Sequence, residues 1–388
     1  IDHFNLVNSM KNFQTLFVVL FILILLSSCN SEPGAADENF VYEDLPQSET
    51  QILETRPPSS TPEPSLTPTN TRTPTFTVTP EPSKTPTISP TNYQLKTFTS
   101  DQLRNNVSIV DYIQKPCEYL EKRWGEGKST PGTIVVPIMF HSVAKVGREI
   151  TDSTTISTGY FEYFMKKAKE LGFSTITMDE LVGFIENNEK IPERSMILIL
   201  DDRRPGVTEL FMPYLEANDW TLTLGWITTD NTTESLWLRM EKLADSGHLD
   251  VQSHGHDHIY IQDYTPLEEV EEEIYKPIEV IQAHFGTIPS AIIWPGGNFT
   301  AQSVSIAQEA GLKLGFTIYP RGPLMFNWIP QGEEELAVGD PLMVLPRYWS
   351  TAADVALNQA ILISEDAKQY AESVKADELL YFETYCQP

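Results

Sequence analysis

From Thr133 onward the 388-residue sequence predicts an α/β architecture with a parallel sheet, either closed into a barrel or doubly wound. Three observations predict it. Apolar runs recur without polar alternation, as strands buried on both faces require. Segments with helical spacing separate the runs, so strand and helix alternate along the chain. Polar residues with chemical capacity gather directly after the runs, and a parallel fold collects those positions on one face.

Eight runs qualify as strands: "TIVVPIMF" (133–140), "STIT" (174–177), "MILIL" (196–200), "TLTLGWI" (221–227), "LDVQS" (249–253), "AIIW" (291–294), "LGFTIY" (314–319) and "MVLPR" (343–347). The helices between them are "GYFEYFMKKAKELG", "MDELVGFIENN", "TELFMPYLEAND", "SLWLRMEKLADSG", "LEEVEEEIYKPIEVIQAHFG" and "AQSVSIAQEAG". Several of these close on glycine, as helix C-termini do. Ahead of the first run, residues 98–132 have helical spacing and predict a helical N-terminal extension packed outside the domain of residues 133–388.

The first hundred residues have another character. Residues 1–29 read as an export signal: Lys11, an eleven-residue apolar stretch from Leu16 to Leu26, then small residues and Cys29. The stretch is short of the roughly 20 residues a spanning helix needs. "LSSC" resembles a bacterial lipobox, which makes Cys29 a lipidation site and predicts an extracytoplasmic protein anchored to the membrane. Residues 30–97, typified by "TPEPSLTPTNTRTPTFTVTPEPSKTPTISPT", are too poor in apolar groups to bury a core and too rich in proline for helix or sheet. They predict a disordered, extended Thr/Pro-rich linker. Cys117 and Cys386 remain, an even pair where disulfides are permitted, and a bond between them would staple the two ends of the domain.

The formal net charge is −27, of which residues 1–100 carry −5. Binding to nucleic acid or to an anionic membrane surface by charge requires clustered Lys and Arg, so this balance argues against both and leaves the lipid anchor as the expected link to the membrane.

Two stretches carry the chemistry. In "MILILDDRRPG" two adjacent carboxylates, Asp201 and Asp202, follow five apolar residues, and partly buried aspartates need a cation or several donors. "SHGHDH" (253–258) concentrates three of the seven histidines. His254 and His258 are four apart and reach one ion, while His256 points elsewhere, to a supporting or exposed role. Two imidazoles and one carboxylate suit zinc and leave a coordination position open. The H-x-H-x-D-H string of metallo-β-lactamase-type hydrolases is a competing motif, but here the string is one residue short.

From about Ile134 to Arg347 the chain resembles the polysaccharide deacetylases, the NodB-like domain of carbohydrate esterase family four. "LILDDR" is similar to their T-F-D-D-G motif, "HGHDH" keeps the spacing of H-[ST]-x-x-H, "WPGG" resembles the third motif, and "PIMFHSV" resembles the strand-His opening of many members. The resemblance implies an irregular or incomplete (β/α) TIM-like barrel of NodB type. It implies a divalent metal, zinc first, on Asp202, His254 and His258, with Asp201 as catalytic base. The substrate implied is an acetylated polysaccharide or peptidoglycan glycan, N-acetylated or O-acetylated. No histidine follows His284 to supply the family's late general acid, so His141 is the candidate for that role. Arg203 stands where the family has glycine, and the third-motif arginine is absent; Arg347 is the candidate replacement. The expected substrate contacts are Trp294, Pro295, Gly296, Arg203 and Arg347. These departures also admit a rival, a catalytically impaired deacetylase-like surface lipoprotein that binds carbohydrate without turnover.

Overall fold

The computed structural model describes residues 95–387, Pro205 apart. The signal segment, Cys29 and nearly all of the linker lie outside the described residues. In chain order the elements are β1 (Ser108–Val110), α1 (Pro116–Trp124), β2 (Ile134–Phe140), β3 (Ser142–Ala144), β4 (Thr155–Ser157), α2 (Thr158–Glu170), β5 (Ser174–Thr175), α3 (Met178–Asn187) and β6 (Arg194–Asp201). There follow α4 (Thr208–Asn218), β7 (Leu222–Trp226), α5 (Glu234–Ala244), β8 (Leu249–Ser253), α6 (Leu267–Phe285), β9 (Ala291–Ile293), α7 (Ala301–Glu309), β10 (Leu314–Phe316), β11 (Ile329–Gln331), α8 (Glu333–Leu336), β12 (Tyr348–Trp349) and α9 (Ala353–Tyr385).

The main sheet is parallel, in the order β10-β9-β8-β7-β6-β2-β12, with β5 paired to the start of β6. Its two ends meet. Leu345, just ahead of β12, bridges Phe316 of β10, with Thr317 N–H donating to Leu345 O at 2.9 Å and Leu345 N–H to Gly315 O at 2.7 Å. The sheet is therefore an irregular barrel closed by one short segment, the architecture expected from the alternating pattern.

Closure explains why the apolar runs do not alternate. On β2 and β6, Ile134, Val136, Ile138, Met196, Leu198 and Leu200 face outward and pack with Phe161 and Phe164 of α2, Phe211 of α4 and Leu357 of α9. Their neighbours Val135, Ile197 and Ile199 join Ile293, Phe316 and Leu345 in a separate cluster drawn from strands around the ring. Each fully buried Ile, Leu or Phe contributes about 1.5–3 kcal/mol. Helix starts are set locally. Ser157 accepts from Tyr160 N–H at the start of α2, and Thr177 and Glu180 form a reciprocal capping box on α3.

Two expectations need correction, and one element was not expected. Residues 98–132 are helical only over α1, which begins at Pro116; Ser108–Val110 instead pairs antiparallel with Ile329–Gln331, a tertiary pairing invisible to local periodicity. The eighth strand is displaced from 343–347 to Tyr348–Trp349, because Pro341–Met343 forms a 3₁₀ turn. The 33-residue α9 lies beyond every apolar run; its buried face is largely alanine, namely Ala353, Ala356, Ala360, Ala367 and Ala371, which gives little hydrophobic contrast. Among the described residues no helix is long and apolar enough to cross a membrane.

Cys117, at the start of α1, and Cys386, just after α9, are bonded, closing a loop across 269 residues.

Candidate metal centre

The barrel brings its chemistry to the C-terminal ends of its strands. His141 follows β2, Asp201 ends β6 with Asp202 next, and His254 follows β8. Between β6 and β8 runs β7, where Gly225 stands in register with Asp201. A Cβ at Gly225 would lie 3.3 Å from Asp201 Oδ1 and 3.5 Å from the His254 Cβ. A glycine in this strand thus lets two side chains approach across it.

Asp202 Oδ1 lies 3.7 Å from His254 Nε2 and 3.7 Å from His258 Nε2, and one ligand atom from each residue falls within 4.8 Å of the others. Ligands on one tetrahedral zinc sit about 3.4 Å apart, so this set fits the ion. The tautomer fits as well. His254 Nδ1 lies 2.7 Å from the Ile293 carbonyl, which only accepts, so Nδ1 carries the hydrogen and the Nε2 lone pair faces the carboxylate. Two acceptors turned toward each other call for a cation between them.

The electrostatic balance marks the same point as one that attracts positive charge, whether a proton or a metal ion. Burial disfavours a charged His254, but Asp201 and Asp202 outweigh it and raise its pKa. Burial and the neighbouring His254 push His258 down to about 4, leaving a neutral imidazole. Burial works against the Asp202 carboxylate, yet His254 and Arg204 hold it well below the ordinary range. Arg204 donates through Nε and Nη2 to Asp202 Oδ2, on the far side from the histidines. Asp202 and His258 both adopt the left-handed backbone, with φ of 67° and 61°, a strained state for residues with a Cβ and one that concentrates at functional sites.

Asp201 is 2% exposed and Arg347 fully buried. Arg347 Nη1 donates to both Asp201 oxygens, at 2.7 and 2.8 Å, and its Nε donates to Thr317 O at 2.7 Å. Burial alone would raise the Asp201 pKa; the guanidinium, with His254 and His141, reverses that and lowers it. His141 Nε2 stands 3.7 Å from Asp201 Oδ2, and its ring stacks on Trp349 at 6.0 Å. Burial lowers the His141 pKa, with Asp201 and Asp202 pulling the other way.

Burial corrects three of the expected substrate contacts. Arg347 gives Nη1 to Asp201 and Nε to Thr317 and reaches no solvent, and its buried Nη2 has no partner among the described residues. Trp294 is fully buried, packs with Ile292 and Val304, and donates through Nε1 to Met343 O at 2.8 Å, so it anchors its loop. Pro295 is buried too, whereas Gly296 is partly open beneath the Tyr260 ring. Arg203 holds Thr232 Oγ1 and, with Asp202, Arg204, Ile227 and Leu236, lines a cavity of about 410 Å³. A cavity of about 430 Å³ elsewhere, among Phe98, Tyr119 and Trp328 near the N-terminal end of β2, contains no such ligand set. His256 is not exposed: it is buried, with Nδ1 2.9 Å from Thr228 Oγ1. Gly225, Arg204 and Tyr260 were not singled out by sequence reasoning, although a glycine inside the run "TLTLGWI" is a signal for close approach.

Residues 188–315 match the family model described as Polysaccharide deacetylase, a span that holds both aspartates and all three loop histidines and leaves out His141 and Arg347. Over 191 residues the chain is 22% identical to "Putative polysaccharide deacetylase YxkH" of Bacillus subtilis (strain 168), covering 47% of this chain and 64% of that protein. Solved structures resemble it as well. The Streptococcus pyogenes deacetylase PplD, in complex with acetate, is 18% identical with a TM-score of 0.48, covering 60% of this chain and 99% of that one. IcaB from Ammonifex degensii is 16% identical with a TM-score of 0.47, covering 59% and 97%.

Proposed function

We propose, from the match of residues 188–315 to the polysaccharide deacetylase family model, that the chain is a metal-dependent hydrolase removing acetyl groups from an acetylated cell-surface polysaccharide or peptidoglycan glycan. The observation that carries the reading is the convergence of Asp202, His254 and His258 around one point, with the ionised Asp201 beside them. A divalent cation held by those three, zinc by the nature of the donors, supplies Lewis acidity to the acetyl carbonyl and to the attacking water.

The remaining chemistry belongs to the chain. Asp201, kept ionised by Arg347, takes the proton of the water as it attacks the carbonyl carbon. The bond from that carbon to the sugar nitrogen breaks, and the nitrogen needs a proton to leave. His141 Nε2 is placed to give it. A neutral imidazole must first be loaded, and Asp201 Oδ2, 3.7 Å away, holds the proton taken from water. Acetate and a free amine result; an O-acetyl ester would yield a hydroxyl by the same steps. Tyr260, 54% exposed and edge-on to His258 at 5.4 Å, and Trp349 beside His141 offer rings for a sugar to rest on.

Acetate release from N-acetylated chitooligosaccharides tests the reading. It should require zinc, stop with a chelator and vanish in Asp202→Asn. Glycan binding with no acetate release under any metal would instead favour the carbohydrate-binding rival. The export-like segment and Cys29 support an extracytoplasmic, lipid-anchored location. Labelling of the cellular protein with palmitate, lost in Cys29→Ala, would support that placement, and an unlabelled wild-type chain would refute it.

A further inference from the structure

Glu273 lies on α6, outside every motif that points to the metal. Its side chain is 1% exposed. A buried carboxylate is costly unless its oxygens are met by donors, so what it binds is informative. Oε2 accepts the His256 N–H at 2.9 Å and Oε1 the Asp257 N–H at 2.7 Å. Three residues separate His254 from His258, and Glu273 captures the N–H groups of two of them.

The loop is fitted to the carboxylate. Gly255 has φ of 78°, and a Cβ there would stand 2.0 Å from Glu273 Oε2. Only glycine allows both that backbone turn and that approach. From the other side, Thr228 N–H donates to Gly255 O at 3.3 Å and Thr228 Oγ1 meets the His256 ring. The 254–258 loop is therefore gripped through its backbone, leaving the His254 and His258 rings free to face Asp202.

We infer that Glu273 is a positioning residue: by binding the backbone of the histidine loop it holds His254 and His258 in the geometry that takes up the metal. The inference rests on the metal reading above, and the test separates the two. Full-length protein, stripped of metal, is titrated with zinc against a chromophoric chelator, for wild type, Glu273→Gln and, as control, the exposed neighbour Glu272→Gln. Glutamine keeps the shape but offers one acceptor oxygen where two are used. The zinc Kd of Glu273→Gln should rise about 10- to 100-fold, the range seen when groups supporting metal ligands are removed. The zinc concentration for half-maximal acetate release should rise by the same factor, and kcat should recover at saturating zinc. A merely damaged fold would not regain kcat. If wild type binds no zinc, the metal reading fails and the inference with it; if Glu273→Gln binds zinc as wild type does, the inference alone fails. Should Glu273→Gln not fold, hydrogen exchange on metal-free wild type decides. The His256 and Asp257 amides should be protected, and exchange at the rate of free loop amides would overturn the proposal.

Discussion

Arg347 governs the charge on Asp201 by direct contact, and removing it exposes how much burial opposes that charge. In Arg347→Met the desolvation of Asp201 is left unbalanced, so its pKa rises. The proposed base works only when ionised, so activity is expected to fall as pH drops through its pKa. The acid limb of the kcat/KM profile should therefore lie below the ordinary carboxylate value of 3.8 in wild type and move to higher pH in the variant. Stability follows the same linkage. A folded-state pKa below the unfolded value contributes stability that is present above pH 3.8 and lost as pH falls through the folded value. Leaving a buried carboxylate unpaired costs about 3–5 kcal/mol, measurable by denaturant titration at neutral pH. His141 has a different signature. His141→Asn should slow release from an N-acetyl sugar by about 10²–10⁴-fold and spare an aryl acetate, whose leaving group needs no proton. The two aspartates were legible in sequence because they directly follow an apolar run, and the paired histidines because they stand four apart in a stretch holding three of the seven histidines. Arg347 was visible as a residue but its burial was not, since its partner lies 146 positions away. Trp294 misled for the converse reason: a loop beside the site can turn its largest side chain into the core.

At the scale of elements, β7 matters for what it lacks. Gly225→Val would insert bulk between Asp201 and His254, and should abolish acetate release while costing about 1–3 kcal/mol in stability, read by thermal unfolding and activity together. Strand positions were predictable because burial on both faces writes an unbroken apolar run, as in β2 and β6. The extension and α9 were not, for two reasons. β1 exists only by pairing with β11, more than 200 positions on. α9 lays an alanine face close against its neighbours, so its inward side differs little in hydropathy from its outward side.

For the molecule as a whole, the Cys117–Cys386 bond joins the start of α1 to the end of α9 and constrains the unfolded chain across most of the described sequence. Replacing both cysteines by serine should cost about 2–5 kcal/mol and lower the Tm, with kcat unchanged at temperatures where the protein stays folded. The segment 345–349 does double duty: Leu345 and Tyr348 join the ends of the sheet, and between them Arg347 reaches the base. Breathing at that seam would draw Arg347 away from Asp201 while the helices stayed intact. Thermal inactivation, assayed at temperature, is accordingly expected several degrees before the loss of helical ellipticity, and coincident midpoints would show that the staves of the barrel part all at once.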